Sequence, residues 1–300
     1  MRVWQGKGQG PLGLPAADQE ESGAGGIHLA NLPVDPRIGK MLIFGAIFSC
    51  LDPVLSIAAG LTVRDPFVLP VEKKEIAEAA RHKFGRDICS DHIALVRAYD
   101  GWKESMDAGN AADYCWKNFL SFSTMQVIHS LRRQFEMLLR QAGFVDPVRD
   151  YSNQYSKDVD LLKGIVCAGM FPGVCSAWTM ENNTKYKTVE DGAVLLHQNS
   201  ILSKIERIPY PWLVFFEKIK SGNILLRDGT GITDSMLLLF GGRLYKSERA
   251  GHLHMQEGLL QFTMHTPFAE TLLLLRRELD SIVSQKVNPK NLVNCLVVQG

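Results

Sequence analysis

Three glycines near the N-terminus have the spacing of a dinucleotide-binding turn. Gly8, Gly10 and Gly13 spell G-x-G-x-x-G. Such a turn follows a β-strand and opens a helix, so that a pyrophosphate can lie on the helix N-terminus. Here Pro11 interrupts the motif and no strand pattern precedes it. The sequence therefore favours the structural interpretation, an irregular glycine-rich segment.

Two further pairs of residues have types that could do chemistry. His252 and His254 form an isolated H-x-H, which supplies fewer ligands than a zinc site needs. We interpret them as exposed histidines. Asp158 and Asp160 could pair as acid and base, but they stand where a loop becomes a helix. That position is typical of capping residues.

The totals of the sequence exclude several classes of protein. The phosphate-binding loop of nucleotide hydrolases, the G-x-S-x-G elbow and H-E-x-x-H are absent, so no catalytic constellation is evident. The formal net charge is +1, so any nucleic-acid site must be a local patch. The 6 cysteines form no C-x-x-C, which predicts reduced, buried thiols in an intracellular protein. No secretory signal or apolar stretch long enough to span a membrane is present.

Helical patterns dominate the first half of the chain. Residues 1–26 are rich in glycine without periodicity, which predicts disorder. Pro36 is suited to open the first helix of a bundle that runs to about residue 144, and Asp52 with Pro53 is suited to open the second. Ser90 is suited to cap a later helix, and Asp91 complements the dipole at the N-terminus of that helix. Large aromatic residues on apolar faces are predicted to pack in the core: Trp102, Trp116 and Trp212.

The pattern changes to short strands after Pro172. Asp228-Gly229 is predicted to be a hairpin turn, and a short helix is predicted near Asp234. A C-terminal helix is predicted over residues 269–286. The predicted strands are Val174–Met180, Tyr186–Thr188, Val194–His197, Trp212–Ile219, Ile224–Leu226 and Gly258–Met264. The fold class is therefore α+β, a helical bundle followed by a small closed barrel with a C-terminal helix.

Several stretches, in order, resemble DEAH/RHA-type ATP-dependent RNA helicases, notably plant RHA-like members. The resemblance covers about Leu29 to Lys286. It rests on Val63–Phe67, Ser90–Leu95 followed by Tyr99 and Trp102, Cys115–Leu120, Lys163–Pro172, Leu225–Ile232 and Leu237–Gly242. It implies the helical ratchet domain, with the tail of a winged helix, at residues 27–144. It also implies an OB-fold at 145–266, then a C-terminal helix and tail at 267–300.

The resemblance also implies contact with single-stranded RNA, since in the family these domains line the RNA channel. OB barrels track a strand with basic groups and stack bases on aromatic rings. The residues implied are Lys163, Tyr186, Lys187, His197, Ser200, Arg227 and Thr230. For each, a structural role is the alternative: a half-buried strand residue at Tyr186, a backbone partner at His197, a solvated charge at Lys187 or Arg227. The family's His-Pro-x-Ser reads His197-Gln198-Asn199-Ser200 here, without the proline that would fix φ.

The sequence thus predicts an RNA-binding accessory module whose partners are the RecA-like and winged-helix domains of a helicase. The ATP-binding motifs of the RecA-like motor are missing from this chain, so we expect no cofactor here and no ATP hydrolysis by the chain alone; the family's motor uses ATP and magnesium. A protein-interaction module, or a helicase fragment without independent activity, is the alternative. We expect an intracellular protein and leave nucleus or cytoplasm open.

Overall fold

The computed structural model describes residues 2–4, 34–145, 151–180 and 183–287. The glycine triad, Cys295 and residues 27–33 of the predicted winged-helix tail (27–34) lie outside these ranges. Helices make up the first half: α1 (Pro36–Ile47), α2 (Leu51–Thr62), α3 (Lys74–Gly85), α4 (Asp91–Asp107), α5 (Ala111–Lys117) and α6 (Phe122–Gln141). The next helix, α7 (Val159–Met170), leads into the β half.

The helix starts follow from local capping chemistry. The Asp35 carboxylate accepts a hydrogen bond from the Arg37 N–H, and Pro36 occupies the first turn of α1. Ser90 Oγ accepts from the Ile93 N–H, and Asp158 accepts from the Leu161 N–H. These starts are confirmed. The predicted start of α2 is wrong by two residues, because Cys50 is the N-cap, the helix begins at Leu51 and Asp52 lies inside the first turn.

Five strands after α7 close into a barrel: β2 (Val174–Met180), β3 (Asn183–Thr188), β4 (Gly192–Leu196), β5 (Trp212–Ser221) and β6 (Asn223–Ile232). Their order is β2-β3-β4-β6-β5, and β5 pairs with β2 to close the sheet. The β4–β6 pair is parallel, while the other neighbours are antiparallel. The α+β class and the OB-type barrel are confirmed.

The predicted hairpin turn at Asp228-Gly229 is wrong. Strand β6 runs through both residues, paired with β5 from Trp212–Ile232 to Ser221–Asn223. The turn lies at Gly222, whose φ of 71° suits a residue without a Cβ. Asp228 also has a positive φ, 56°, inside the strand. The Asp-Gly pair therefore indicates an unusual backbone conformation correctly, but the chain does not reverse there.

A second, smaller sheet follows the barrel. Helix α8 (Asp234–Phe240) leads to β7 (Tyr245–Lys246), β8 (His252–Met255) and β9 (Leu260–Thr263), and α9 (Thr266–Val287) ends the described chain. The sheet order is β1-β9-β8-β7, where β1 is Arg2–Trp4. These three residues belong to the segment predicted to be disordered, and here they form a strand. Within the described ranges, no helix combines the length and apolar character that crossing a bilayer requires.

Two hydrophobic clusters form the core. One runs through the helices to the small sheet and contains Trp102 and Trp212, which are 1% and 2% exposed. The other fills the barrel with Cys175, Val194, Leu213, Phe215 and Leu226 among its members. The five described cysteines are free and buried, as predicted. Burial raises the pKa of the Cys50 thiol to about 12.

The predicted core position of Trp116 is wrong, because its side chain is 79% exposed. The buried residues of the short helix α5 are Ala111 and Cys115, four positions apart. Trp116 follows Cys115 by one residue and therefore points about 100° away from that face. Lys73 Nζ lies 5.6 Å from the centre of the indole ring. An exposed indole of this size is a candidate contact surface.

Candidate functional site

Asp91, the first residue of α4, joins the helical half to the barrel. Its carboxylate accepts hydrogen bonds from Ser200 Oγ at 2.6 Å, the Ile201 N–H at 2.8 Å and the Gly229 N–H at 2.9 Å. The residue is 6% exposed. A carboxylate at a helix N-terminus is stabilised by the helix dipole, and charge-assisted hydrogen bonds are the stronger kind. We call Ser90, Asp91 and His92, with the barrel groups they bind, the clasp.

The residues beside Asp91 bind the same barrel strand. Thr230 Oγ1 lies 2.7 Å from both Ser90 Oγ and His92 Nδ1. The Gly231 N–H donates to the Cys89 carbonyl, so the backbone just before α4 pairs with β6. Burial lowers the pKa of His92 to about 4, which keeps the imidazole neutral near pH 7. The clasp thus combines side-chain and backbone bonds, all excluded from water.

Lys163 on α7 forms a further link between the halves. The side chain is 1% exposed, and Nζ donates to the Ile88 carbonyl at 2.6 Å. Nζ also lies 3.9 Å from the centre of the Tyr210 ring. Burial lowers the pKa of Lys163 to about 8. These contacts give Lys163 a structural role where the helices meet the barrel.

A small polar cavity opens next to the clasp. Its volume is ≈ 90 Å³ and it is lined by charged groups from both halves, among them Asp65, Arg81, Asp91, Arg227 and Asp228. Arg81 pairs with Asp65 at 2.6 Å. Burial raises the pKa of Asp228 to about 7, and the neighbouring Asp91 carboxylate adds to the shift. A raised pKa of this size places the titration of the Asp228 carboxyl near neutral pH, next to the clasp.

The outer face of the barrel is different, since it exposes a cationic and aromatic row. Trp178 on β2 pairs with Lys185 on β3, and Ser176 pairs with Lys187. Directly opposed residues share a face, so Trp178, Lys185 and Lys187 lie together. The Trp178 side chain is 41% exposed. No described ion pair involves either lysine. We call these three residues the barrel-face row.

The seven RNA-binding residues implied by the sequence separate into two groups. Lys163, Ser200 and Thr230 are buried at the junction, where their polar atoms bind partners in this chain. Tyr186 is half-buried among the barrel residues, and burial raises the pKa of its hydroxyl. Lys187, His197 and Arg227 are partly exposed. RNA contact by all seven stays a prediction.

The partly exposed residues differ in their surroundings. Lys187 belongs to the barrel-face row. His197 follows β4, where its Nδ1 accepts from the Asn199 N–H at 3.2 Å. Arg227 lies on β6 near Glu217 and Asp228, at 3.7 and 3.6 Å. Of these residues, Lys187 is the best placed to meet a phosphate.

Two family models match the chain in the two halves just described. Residues 35–95 match the ratchet-like helicase associated domain, and residues 162–245 match the oligonucleotide/oligosaccharide-binding (OB) fold. The clasp joins these regions: Asp91 falls in the first, and Ser200 and Gly229 fall in the second. The DExH-box ATP-dependent RNA helicase DExH3 of Arabidopsis thaliana is 51% identical over 267 residues, 88% of this chain. The chain carries the helicase-associated and OB regions of DExH-box RNA helicases.

Other relatives agree with this family. The DExH-box ATP-dependent RNA helicase DExH1 of Arabidopsis thaliana is 41% identical over 92% of this chain. The ATP-dependent DNA/RNA helicase DHX36 of Homo sapiens is 38% identical over 90%. The alignments cover 22%, 28% and 28% of these three relatives. The chain therefore spans about a quarter of the length of the curated relatives it matches.

The described residues of this region offer no magnesium site, and the polar cavity beside the clasp does not fit the phosphates of ATP. No three His, Cys, Asp or Glu side chains among them lie close enough together to hold a metal ion. The polar cavity beside the clasp has carboxylates around its guanidinium groups, which disfavours a phosphate. The ATP dependence in the relatives' names is thus not assigned to any group in these residues.

Sequence reasoning missed two members of the barrel-face row, Trp178 and Lys185. The signal was the alternation along two adjacent strands, which places every second residue outside the barrel. Sequence reasoning also predicted only an interaction with the helix dipole for Asp91. The barrel partners of Asp91 lie more than a hundred positions away in sequence, at separations of 109, 110 and 138. No local pattern indicates such contacts.

Proposed function

We propose that this chain is an RNA-binding accessory module of a DExH-box helicase. It guides single-stranded RNA over the barrel and transmits ATP-driven motion from a RecA-like motor to the strand. The motor and the winged helix are its proposed protein partners, and its proposed location is inside the cell, in nucleus or cytoplasm. The observation that carries the proposal is the barrel-face row, because it offers an indole for stacking and two lysines, neither of them in an ion pair with another described residue, for phosphates.

The fold supports this use of the barrel. In OB-folds, oligonucleotides bind on the face of the second and third strands, which correspond to β3 and β4 here. Lys185 and Lys187 lie on β3, and Lys187 is paired with Ala193 of β4. Ala193 is exposed and small, so an RNA strand can approach the barrel closely at this point. The clasp supports the transmission step, because a buried network that joins the two halves makes them move together.

Substitution of the barrel-face row should weaken RNA binding. For a labelled single-stranded RNA of about 12 nucleotides, Trp178→Ala should raise Kd by about 5-fold to 100-fold, since a stacked base contributes about 1–3 kcal/mol. Lys185→Ala and Lys187→Ala should each reduce the slope of log Kd against log salt by about one unit. The measurement is fluorescence anisotropy between about 50 and 200 mM salt.

The matched control is Lys103→Ala, an exposed lysine on α4 in the helical half. Its affinity and salt slope should match those of the parent chain. Equal losses in Lys103→Ala and Lys187→Ala would mean that binding depends on overall charge and would refute a defined barrel site. Absence of binding at low salt by a folded chain would refute the proposed function for this chain.

A protein-interaction module is the second candidate, favoured by an apolar groove in the helical half. Its volume is ≈ 530 Å³, and it is lined by Val68, Pro70, Val71, Trp116 and Phe119 among others. Val71 is 94% exposed. Partners or a second copy of the chain could cover such a surface.

Trp116→Ala separates the two candidates. Because the indole is 79% exposed, we expect the free energy of unfolding to change by less than about 1 kcal/mol. Light scattering should find the parent chain and the variant monomeric if the RNA module is correct. Self-association of the parent that Trp116→Ala abolishes, while RNA binding is absent, would favour the interaction module.

A further inference from the structure

The small sheet carries a stacked aromatic pair outside the barrel. Tyr245 on β7 and His254 on β8 are partners in the register. Their ring centres are 5.5 Å apart and the ring planes differ by 16°. The Tyr245 side chain is 46% exposed. An exposed ring that is already held parallel to a second ring offers its free face at little cost in side-chain entropy.

A cavity adjoins this pair. Its volume is ≈ 440 Å³, and it is lined by Phe171, Arg243, Tyr245, His254 and Gln256. The lining thus combines aromatic rings, an amide with both donor and acceptor atoms, and a guanidinium group. A flat guest with a hydrogen-bonding edge and a nearby negative charge fits this set. A nucleotide of a single strand has these three properties.

The cavity continues toward the barrel. Gln256 also lines a neighbouring groove of ≈ 510 Å³ together with Val174 of β2 and Thr188 of β3. Gln256 Nε2 donates to the Pro172 carbonyl, just before β2. An RNA strand lying on β2 and β3 can therefore extend into the cavity of the small sheet. Addition of a β-strand from a partner protein is disfavoured at the β7 edge of this sheet, because β7 has only two residues.

We propose that Tyr245 and His254 form a second stacking site, which takes one nucleobase of an RNA strand as it leaves the barrel. The inference rests on the proposed function and adds a contact outside the OB-fold. It predicts that the effect of this site depends on the length of the RNA. A short oligonucleotide covers the barrel face alone, whereas a longer one also reaches the small sheet.

The test compares oligoadenylates of about 6 and about 12 nucleotides, since one OB-fold covers about 4–16 nucleotides. Tyr245→Ala should weaken binding of the longer strand by at least about 5-fold and leave the shorter one unchanged. Tyr245→Phe keeps the ring and should bind both strands like the parent. The matched control is Tyr155→Ala, which removes a tyrosine that is 49% exposed before α7.

The outcomes distinguish this inference from the proposed function. If Trp178→Ala weakens both strands while Tyr245→Ala weakens neither, the barrel function stands and the second site is refuted. If neither strand binds the parent, the proposed function fails first. Adenosine monophosphate serves as the probe for a free nucleotide. If it binds the parent as tightly as the longer strand does, and Tyr245→Ala abolishes that binding, the site belongs to free nucleotides and the strand contact is refuted.

Discussion

Asp91→Ala should destabilise the protein by about 3–5 kcal/mol. The substitution removes a buried carboxylate that accepts three hydrogen bonds from the barrel. Hydrogen bonds to a charged group contribute about 1.5–3 kcal/mol each, and a buried donor left unsatisfied costs about 1–3 kcal/mol. The N–H groups of Ile201 and Gly229 would both lose their partner in a buried site. Urea unfolding followed by tryptophan fluorescence measures the change.

Asp87→Ala is the matched control for this experiment. Asp87 lies four residues before Asp91 and pairs with Arg97, but its side chain is 63% exposed. An exposed pair contributes about 0–1 kcal/mol, so this variant should remain close to the parent. If Asp91→Ala prevents folding, Asp91→Asn keeps one acceptor oxygen and should show an intermediate loss. Equal stabilities of the Asp87 and Asp91 variants would show that the clasp does not hold the two halves together.

Hydrogen exchange adds a readout that is specific to the clasp. In the parent chain, the Gly229 and Ile201 amides should exchange slowly, because both are buried and bound to Asp91. Asp91→Asn should speed exchange at these two positions more than at Leu213, which lies inside the barrel. Uniform acceleration everywhere would indicate a general loss of stability instead of a local opening.

The sequence predicted the parts of the fold that short-range patterns determine. Strand β2 was predicted with its observed bounds, Val174–Met180, because glycine and proline punctuate it and its residues favour strands. The Ser90 cap was predicted because its partner is three residues away. Trp116 was placed in the core because its type favours burial, but α5 is too short for an apolar stripe to determine which face is inside.

The contacts of the candidate site do not follow from the sequence, for a physical reason. RNA contact by Ser200 and Thr230 is implied by a family resemblance and stays a prediction, while the fold shows that their hydroxyls bind Asp91, Ser90 and His92. The type of a residue shows that it can form a hydrogen bond, but only the tertiary fold shows with which group. Of the small sheet, β9 was predicted within Gly258–Met264, but β7 and β8 were missed because strands of two to four residues are too short to show a period of two.

Asp228→Asn should remove most of a pH dependence that we expect in the parent chain. The side chain of Asp228 is 22% exposed and faces charged groups from several elements. Asp91 and His92 come from α4, Arg81 from α3, Asp65 from the loop after α2, Glu217 from β5 and Arg227 from β6. Burial, with a contribution from Asp91, raises the pKa of Asp228 to about 7, from an ordinary value of 3.8.

The sign follows from proton release on unfolding. Between pH 4 and 7 the native carboxyl keeps its proton, while the unfolded carboxyl is ionised, so unfolding releases a proton. The free energy of unfolding therefore falls by up to about 1.4 kcal/mol per pH unit as pH rises, and the fall ends above about pH 7. The raised pKa corresponds to about 4 kcal/mol at most. Because water reaches part of the side chain, we expect about 2–4 kcal/mol.

Asparagine is a suitable replacement, because it cannot ionise and it tolerates the positive φ of 56° at this position. In Asp228→Asn, residue 228 should make a nearly constant contribution to the free energy of unfolding that urea unfolding measures between about pH 5 and 8. The parent should lose stability over the same range. Asp113→Asn, on the exposed side of α5, should keep the parent's slope. A parent and an Asp228→Asn variant with the same slope would show that Asp228 is ionised throughout. The polar cavity would then hold four carboxylates together at every pH, those of Asp65, Asp91, Glu217 and Asp228, beside the guanidinium groups of Arg81 and Arg227.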